Sequence, residues 1–457
     1  MSGRYLQAEV RAVSLALAVC AVACGSRSRL LDLGTSAGGT AGSGGGAGGG
    51  GFGGSAGGFG GVAGSDGGFG GVAGGVQCSG LFQVGDSIEV QKPAKDQDSA
   101  PQLVFSSDDG QQVSVAFVRA PVETPVAFNQ IKHATLSPWA SWPQGKQLAP
   151  VHDSFSSPQL SGKFRAGAGF GDSLALLVAH QAGPKAFTSF APQVAANASS
   201  GGPTTTPAGS TPELVARGEG GLHLVGTRDD TQLYGQIFQA TTLVATSTLG
   251  CAGFAPIGDA VPFAGGWLVA VAVGMKAPPL GCGDSDPGPP LRIDFLRVWP
   301  DGSVKPVEHL VVGAPLMHIS MAPHPDGAYV VYRAASGGEV APIRWLRLIA
   351  STGDFVGPQD VSGPSDFPLE FDATALGDRL LVAWGNDPAD NPPDLTLSVF
   401  HPFGATLGTL AFEPGFFGPL SVIGAPSGNS VVVAWQANSG AGTSAVHLAR
   451  FDCFGAR

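Results

Sequence analysis

Between Gly110 and Gly428 a glycine leads into a short apolar strand seven times, and nothing else in this 457-residue chain restricts its fold as much. The copies are Gly110 with Val113–Phe117, Gly171 with Leu174–Val178, Gly221 with Leu222–Val225, Gly266 with Trp267–Val271, Gly327 with Tyr329–Tyr332, Gly377 with Leu380–Trp384 and Gly428 with Val431–Trp435. Neighbouring glycines stand 45 to 61 residues apart. Self-similarity at such a period belongs to architectures that stack one supersecondary unit many times. Each copy keeps the same company. A short strand precedes the glycine, as in Leu103–Phe105, Leu369–Phe371 and Leu420–Ile423. After a loop comes an alternating strand, as in Ile293–Val298, Ile343–Leu348, Leu395–Val399 and Val446–Phe451. Turn signals close that third strand at Pro300-Asp301-Gly302, Ser351-Thr352-Gly353 and Pro402-Phe403-Gly404, and a fourth weak strand follows, such as Val304–Val311 or Thr406–Phe412.

Four strands per repeat without helical periodicity predict an all-β chain folded as a seven-bladed β-propeller. The second strand is apolar on both faces, which suits a strand covered by neighbouring blades, and the third alternates as expected nearer the rim. A β-sandwich also uses short strands and many turns, but it does not require seven copies at one period. The last copy ends after its third strand, whereas Asp86–Val90 ahead of the first copy is a strand without a blade. Asp86–Val90 is therefore expected to close the ring as the outer strand of the seventh blade, leaving no open sheet edge. Four Cys lie in this region, and an even count allows three full pairings. Cys78 and Cys453 bracket the domain and would meet on closure, while Cys251 and Cys282 share repeat four. The expected bridges are Cys78–Cys453 and Cys251–Cys282, with four free buried thiols as the other reading. No Cys-x-x-Cys spacing suggests metal ligation.

The N-terminus reads differently. Arg4 and Arg11 precede an apolar run from Ala12 to Ala23, the pattern of an export signal and too short for a bilayer span. Ala21-Val22-Ala23-Cys24 resembles the lipobox of bacterial lipoproteins, in which a small residue precedes a Cys that becomes the lipidated N-terminus. The resemblance covers these few positions and departs from the pattern at Ala21, where Leu is usual. It implies lipidation at Cys24; Cys20 is a second candidate, and ordinary cleavage after Ala23 would leave a soluble protein. From Gly34 to Gly75 the chain holds 24 of its 71 glycines, including Gly-Gly-Phe-Gly-Gly repeats at 50–54, 57–61 and 67–71. Such a segment cannot offset its ordering entropy and is expected to be a disordered coil. It looks like the tethers of surface lipoproteins in some Gram-negative bacteria, myxobacteria among them. The expected organisation is a lipoprotein signal peptide over 1–23, an anchor and Gly-rich linker over 24–77, and the propeller over 78–457. The expected location is the cell envelope, lipid-anchored at the outer membrane or cell surface, or periplasmic or secreted without the lipid.

From Cys78 onward, 20 Lys and Arg stand against 32 Asp and Glu, which argues against nucleic acid as a partner because phosphate binding needs clustered cations. No nucleophile elbow, zinc-binding or phosphate-loop pattern is present, and no cofactor is implied. Ser107-Asp-Asp-Gly110 lacks the spacing of the aspartate box of sialidase-type propellers and reads as a turn. His223 and His447 lie within strand patterns and read as structural. Length varies most in the loops between second and third strands: Met275–Arg292, Gly385–Asp394 and Gln436–Ala445. Insertions in repeat arrays map to a binding face. Two of these loops are acidic and proline-rich, with Asp284 and Asp286 in one and Asp387, Asp390 and Asp394 in the other. They could hold a divalent cation or a cationic ligand, or be solvated loops stiffened by proline; a metal is left open. The sequence thus points to a monomeric, non-catalytic binding or scaffolding module. Its partners would be the membrane, through the anchor, and an extracellular or periplasmic protein or glycan. The alternative is an envelope polysaccharide hydrolase or lyase working at the channel mouth.

Overall fold

The structure, a computed structural model, describes residues 78–90, 96–105, 110–121, 130–145, 148, 152–155, 162–170, 173–180, 187–192, 204–205, 211–218, 222–228, 232–239, 242–251, 258–277, 288–335, 342–362, 368–386, 394–412, 416–440 and 443–455. The export segment, Cys24 and the glycine tract lie outside them.

The described residues form a β-propeller. Six four-stranded antiparallel sheets follow in chain order as blades one to six, each running from an inner first strand to an outer fourth. The first strands of consecutive sheets pack against one another around the ring. Blade four comprises Gly258–Phe263, Gly266–Gly274, Pro290–Val298 and Val304–Val311. Blade five comprises Leu316–His324, Gly327–Ala334, Arg344–Ile349 and Phe355–Asp360. Blade six comprises Pro368–Leu376, Arg379–Asn386, Asp394–Phe400 and Thr406–Phe412. Blades one to three begin with Asp96–Phe105, Gly162–Phe170 and Thr211–Arg217.

The repeat predicts seven like blades, and here the structure corrects it. There are six four-stranded blades, and the seventh copy becomes a closing sheet of five strands drawn from both ends of the chain: Phe416–Gly424, Ser430–Gly440, Thr443–Gly455, Cys78–Gln83 and Ile88–Glu89. The closing strand also differs from the expected one. Cys78–Gln83 lies along Phe451–Gly455, and of Asp86–Val90 only Ile88 and Glu89 pair, opposite Leu448 and His447. The third strand of this sheet is 13 residues long, so its free edge takes both segments. Gly85, at φ +69°, turns the chain between them. The expected Cys78–Cys453 disulfide is present, with Cα atoms 5.0 Å apart and a sequence separation of 375.

Burial explains the strand chemistry. The second strand of blade four is buried at all nine positions, as its unbroken apolar run requires. The third strands are also almost wholly buried, although their sequences alternate, because the rim is formed by the fourth strands, where half-buried and exposed positions mix. Trp345 packs against Phe400 of blade six at 5.7 Å between ring centroids, an example of how large side chains fill the space between blades.

The signature glycine answers two separate constraints. At Gly266 and Gly327 a Cβ would sit 2.3 Å from the Val298 carbonyl oxygen and 2.0 Å from that of Leu348, so the third strand leaves no room for a side chain. At Gly377 and Gly428 the backbone turns through φ +60° and +71°, where a side chain is strained.

Candidate functional site

Of the acidic loop residues, Asp284, Asp286, Asp387 and Asp390 lie outside the described residues, and Asp394 opens a strand opposite Asn386. Cys282 also lies outside them; Cys251 is described only in its backbone, so the second expected bridge has no structural account. The segment Gln436–Ala445 is not the loop the sequence suggests. It continues the hairpin of the closing sheet, with Gln436 opposite Val446 and Ala437 opposite Ala445. At the base of the blade-four loop, Arg292 holds the Asp294 carboxylate at 2.6 and 2.9 Å and donates to the Ala277 carbonyl at 2.8 Å. His223 is fully buried, and His447 packs against Trp435 with ring centroids 5.7 Å apart, in keeping with structural roles. Gly110 adopts φ +68°, and Ser107-Asp-Asp, read as a turn from the sequence, lies outside the described residues.

Several polar groups on the first strands are tied into bonds between sheets. Asp259 of blade four accepts the Met321 N–H of blade five at 2.7 Å. Asp372 of blade six accepts the Ser320 hydroxyl of blade five at 3.1 Å and the Val422 N–H of the closing sheet at 2.8 Å. Thr374 accepts the Gly424 N–H at 3.0 Å, and Ser421 accepts the Leu103 N–H of blade one at 3.2 Å. These groups are buried, so each bond satisfies a donor that water cannot reach.

At the end of the ring that carries the connections between second and third strands, Asp98 and Arg119 form a buried bidentate pair, both contacts 2.6 Å long. On the same end His318 lies 3.7 Å from Glu370 across the boundary of blades five and six and stacks on Phe371 at 4.3 Å. Among the described residues, no group of three or more His, Cys, Asp or Glu is placed to hold a metal ion.

The opposite end carries the tight turns that join first to second strands and third to fourth, and here three arginines occupy one structural position. Arg297, Arg347 and Arg450 sit near the end of a third strand, opposite Leu268, Tyr329 and Val432 of the second strands. Arg450 is held by Asp452 at 2.7 and 2.8 Å. Arg347 lies 3.7 Å from Asp326 and 5.2 Å from the ring centre of Phe403. Arg297 lies 4.6 Å from the ring centre of Phe263 and 5.4 Å from that of Trp299, and donates to the carbonyl of Ala264. Beside Arg347, His324 contacts the Asp326 carboxylate, and burial holds its imidazole below its ordinary pKa, with Asp326 pulling the other way. Tyr329 donates to the Asp378 carbonyl; burial, reinforced by the Asp378 charge, drives its phenol well above the ordinary range. Between blades four and five this end opens into a recess of about 410 Å³, lined among others by Arg297, Lys305, Trp299, Ser351 and Thr352.

No family model matches the chain, and no curated protein matches it. Solved propeller-like structures resemble it weakly. A protein of unknown function from Dyadobacter fermentans is 13% identical with a TM-score of 0.45, covering 82% of this chain and 99% of that one. Hsv2 from Kluyveromyces lactis is 10% identical with a TM-score of 0.42, covering 78% and 99%. The sialidase of Trypanosoma rangeli, solved with the inhibitor DANA, is 10% identical with a TM-score of 0.39, covering 68% and 58%.

The recess offers two cations, aromatic faces and hydroxyls, a set suited to holding an anionic ligand rather than to nucleophilic chemistry. A trace of it stood in the sequence, since Leu-Arg-Val, Leu-Arg-Leu and Ala-Arg-Phe recur at 296–298, 346–348 and 449–451. That the recess opens beside only one of these arginines depends on turn residues from the next blade.

Proposed function

We propose that this chain is a non-catalytic binding or scaffolding propeller displayed at the cell envelope, held there through a lipidated Cys24 and the glycine-rich segment that follows. The contrast between the inner strands and the turn face supports the binding reading. Asp259 and Asp372 are engaged in bonds between sheets, whereas the blade-four recess presents Arg297, Lys305 and Trp299 at a rigid turn face. Binding sites of this kind are concave, preformed and built on a stiff scaffold. The anchor is supported by the basic start, the apolar run and the Ala21–Cys24 pattern. Palmitate labelling of cells producing wild-type and Cys24→Ala chains tests it: label should appear on the wild type alone, with the variant leaving the membrane fraction. Label retained on the variant would place the lipid elsewhere.

The second reading is an envelope polysaccharide hydrolase or lyase. It draws on His318 and Glu370, a potential acid–base pair at the end that carries the longer loops. Incubating the purified full chain with envelope polysaccharides and measuring new reducing ends separates the two. No release supports the binding module; release abolished by His318→Ala would overturn it.

A further inference from the structure

From the way the ring closes we infer a mechanical role for the Cys78–Cys453 disulfide. It passes tension from the N-terminal chain over the outermost strand and into the core of the closing sheet. The inference rests on the anchored reading, in which any pull on the displayed domain arrives from the chain upstream of Cys78. That residue is also the first of the outermost strand, Cys78–Gln83. Its partner Cys453 lies on the next strand inward, Thr443–Gly455. The bridge therefore stands where the tension enters, ahead of the outer strand's own backbone pairing. A bridge at the Gln83 end would leave that whole strand in the path of the tension.

Without the bridge the outer strand would meet the pull alone. Gly80 is opposite Phe454, Leu81 opposite Cys453, Phe82 opposite Asp452 and Gln83 opposite Phe451. The strands of the sheet are ordered from the channel outward, so a pull directed away from the ring acts across this ladder. Its pairs then open one after another, and each contributes little net stability. Cover is thin as well. Phe82 and Phe454 are exposed, and among the described residues no further strand pairs with the outer edge of Cys78–Gln83. Short edge segments of this kind open locally at far lower cost than a whole domain. The peeling would halt at Asp86–Val90, where Trp142 donates to the Asp86 carbonyl at 3.0 Å and Ile88 and Val90 are fully buried.

With the bridge, tension leaves Cys78 for Cys453 and the outer strand carries none of it. The strand that receives it is 13 residues long and is paired on both sides. The Cys453 N–H donates to the Asn429 carbonyl at 2.8 Å, and Asp452 and Phe451 lie opposite Ser430 and Val431. Its Val446, Leu448, Ala449 and Phe451 are fully buried. Phe451 also packs on Phe412 of blade six at 4.6 Å between ring centroids, so the strand is held by the neighbouring blade too. Drawing it out exposes the core, and resistance is then set by the unfolding barrier of the domain rather than by edge bonds.

The test is single-molecule pulling on the purified full chain. One handle sits upstream of the glycine-rich segment and the other on an azide-bearing residue in place of Lys305, which is exposed on the outer strand of blade four. Cys78→Ser/Cys453→Ser should show an early low-force step releasing at most about 25 Å, the reach of the chain from Cys78 to Gly85. Wild type should lack that step and rupture first at a higher force with a larger release. Dithiothreitol should bring the step into wild-type records. Because losing the bridge could weaken the whole fold, a second geometry moves the N-terminal handle to Arg457. Tension then enters the third strand directly, and wild type and variant should both lack the step. A step in wild type without reductant, no step in the variant, or the same step in the variant from either handle would overturn the inference. The anchored reading fails separately: absence of palmitate from wild type removes the anchor, while the pulling records still decide the path of the tension.

Discussion

The carboxylate of Asp372 accepts the backbone N–H of Val422 at 2.8 Å across the boundary between blade six and the closing sheet. Its other oxygen takes the Ser320 hydroxyl of blade five, so one buried side chain joins three consecutive sheets. Removing it leaves a buried amide without its acceptor, which costs more than the bond itself contributed. Asp372→Ala should destabilise the domain by about 3 kcal/mol, and Asp372→Asn, which keeps one acceptor, by less. Urea unfolding followed by tryptophan fluorescence measures both. A loss below about 0.5 kcal/mol for Asp372→Ala would show that the staple is dispensable.

The two constraints on the signature glycine predict unequal consequences. Gly327→Ala drives a Cβ into the Leu348 carbonyl oxygen, which belongs to the backbone and cannot move without shifting the third strand. Overpacking of that kind costs about 1–3 kcal/mol or more. Gly377→Ala meets no atom within 4 Å and bears only the strain of φ +60°, about 1 kcal/mol. Thermal unfolding should therefore rank wild type above Gly377→Ala and Gly377→Ala above Gly327→Ala; the reverse order of the two variants would refute this division.

The fold was legible because it repeats. The unbroken apolar run at Val431–Val433 requires cover on both faces, and the strand limits of Val304–Val311 and Thr406–Phe412 coincide with those read from turn signals. The closing sheet was harder. Cys78–Gln83 has no alternating pattern to mark it as a strand, and its place depends on an edge made by residues more than 350 positions away. Gln436–Ala445 looked like a loop because Asn438-Ser439-Gly440 carries turn residues, yet the hairpin runs through them. Of the turn-face recess only the recurring arginine was legible, since the opening arises where a small residue of one blade faces an arginine of another. Periodicity reports strands, and says nothing of which turn overhangs which neighbour.

The disulfide closes the ring where its sheet is made from both termini. Cys78 and Cys453 join the outer strand to the third strand of the closing sheet, so the bond restrains nearly the whole described chain. On the loop-entropy model a closure of this size contributes about 5–6 kcal/mol, and measured effects of disulfides are usually about 2–4 kcal/mol. Cys78→Ser/Cys453→Ser should unfold at a lower temperature, and dithiothreitol should lower the wild-type transition toward that of the variant without shifting the variant. Equal transitions for wild type and variant would show that strand pairing alone closes the ring.

His324 gives the stability a pH dependence whose sign is fixed by its surroundings. Burial disfavours its charged form, and Arg347, whose Nη1 lies 3.5 Å from Nε2, acts in the same direction; Asp326 and Asp378 oppose them without prevailing. The folded-state pKa therefore lies below the ordinary value of 6.5. Above that value both folded and unfolded chains carry a neutral ring, and the group adds no slope. As pH falls below it the unfolded chain takes up a proton that the folded chain resists, so stability declines until the folded pKa is reached. The decline cannot exceed about 1.4 kcal/mol per pH unit for one proton. Blade four carries Phe263 at the equivalent position, so His324→Phe is a substitution the architecture already accommodates. Urea midpoints measured from pH 7.5 to 5 should fall less steeply for His324→Phe than for wild type. Parallel lines, or a steeper fall in the variant, would mean that the imidazole is not held neutral by its burial beside Arg347.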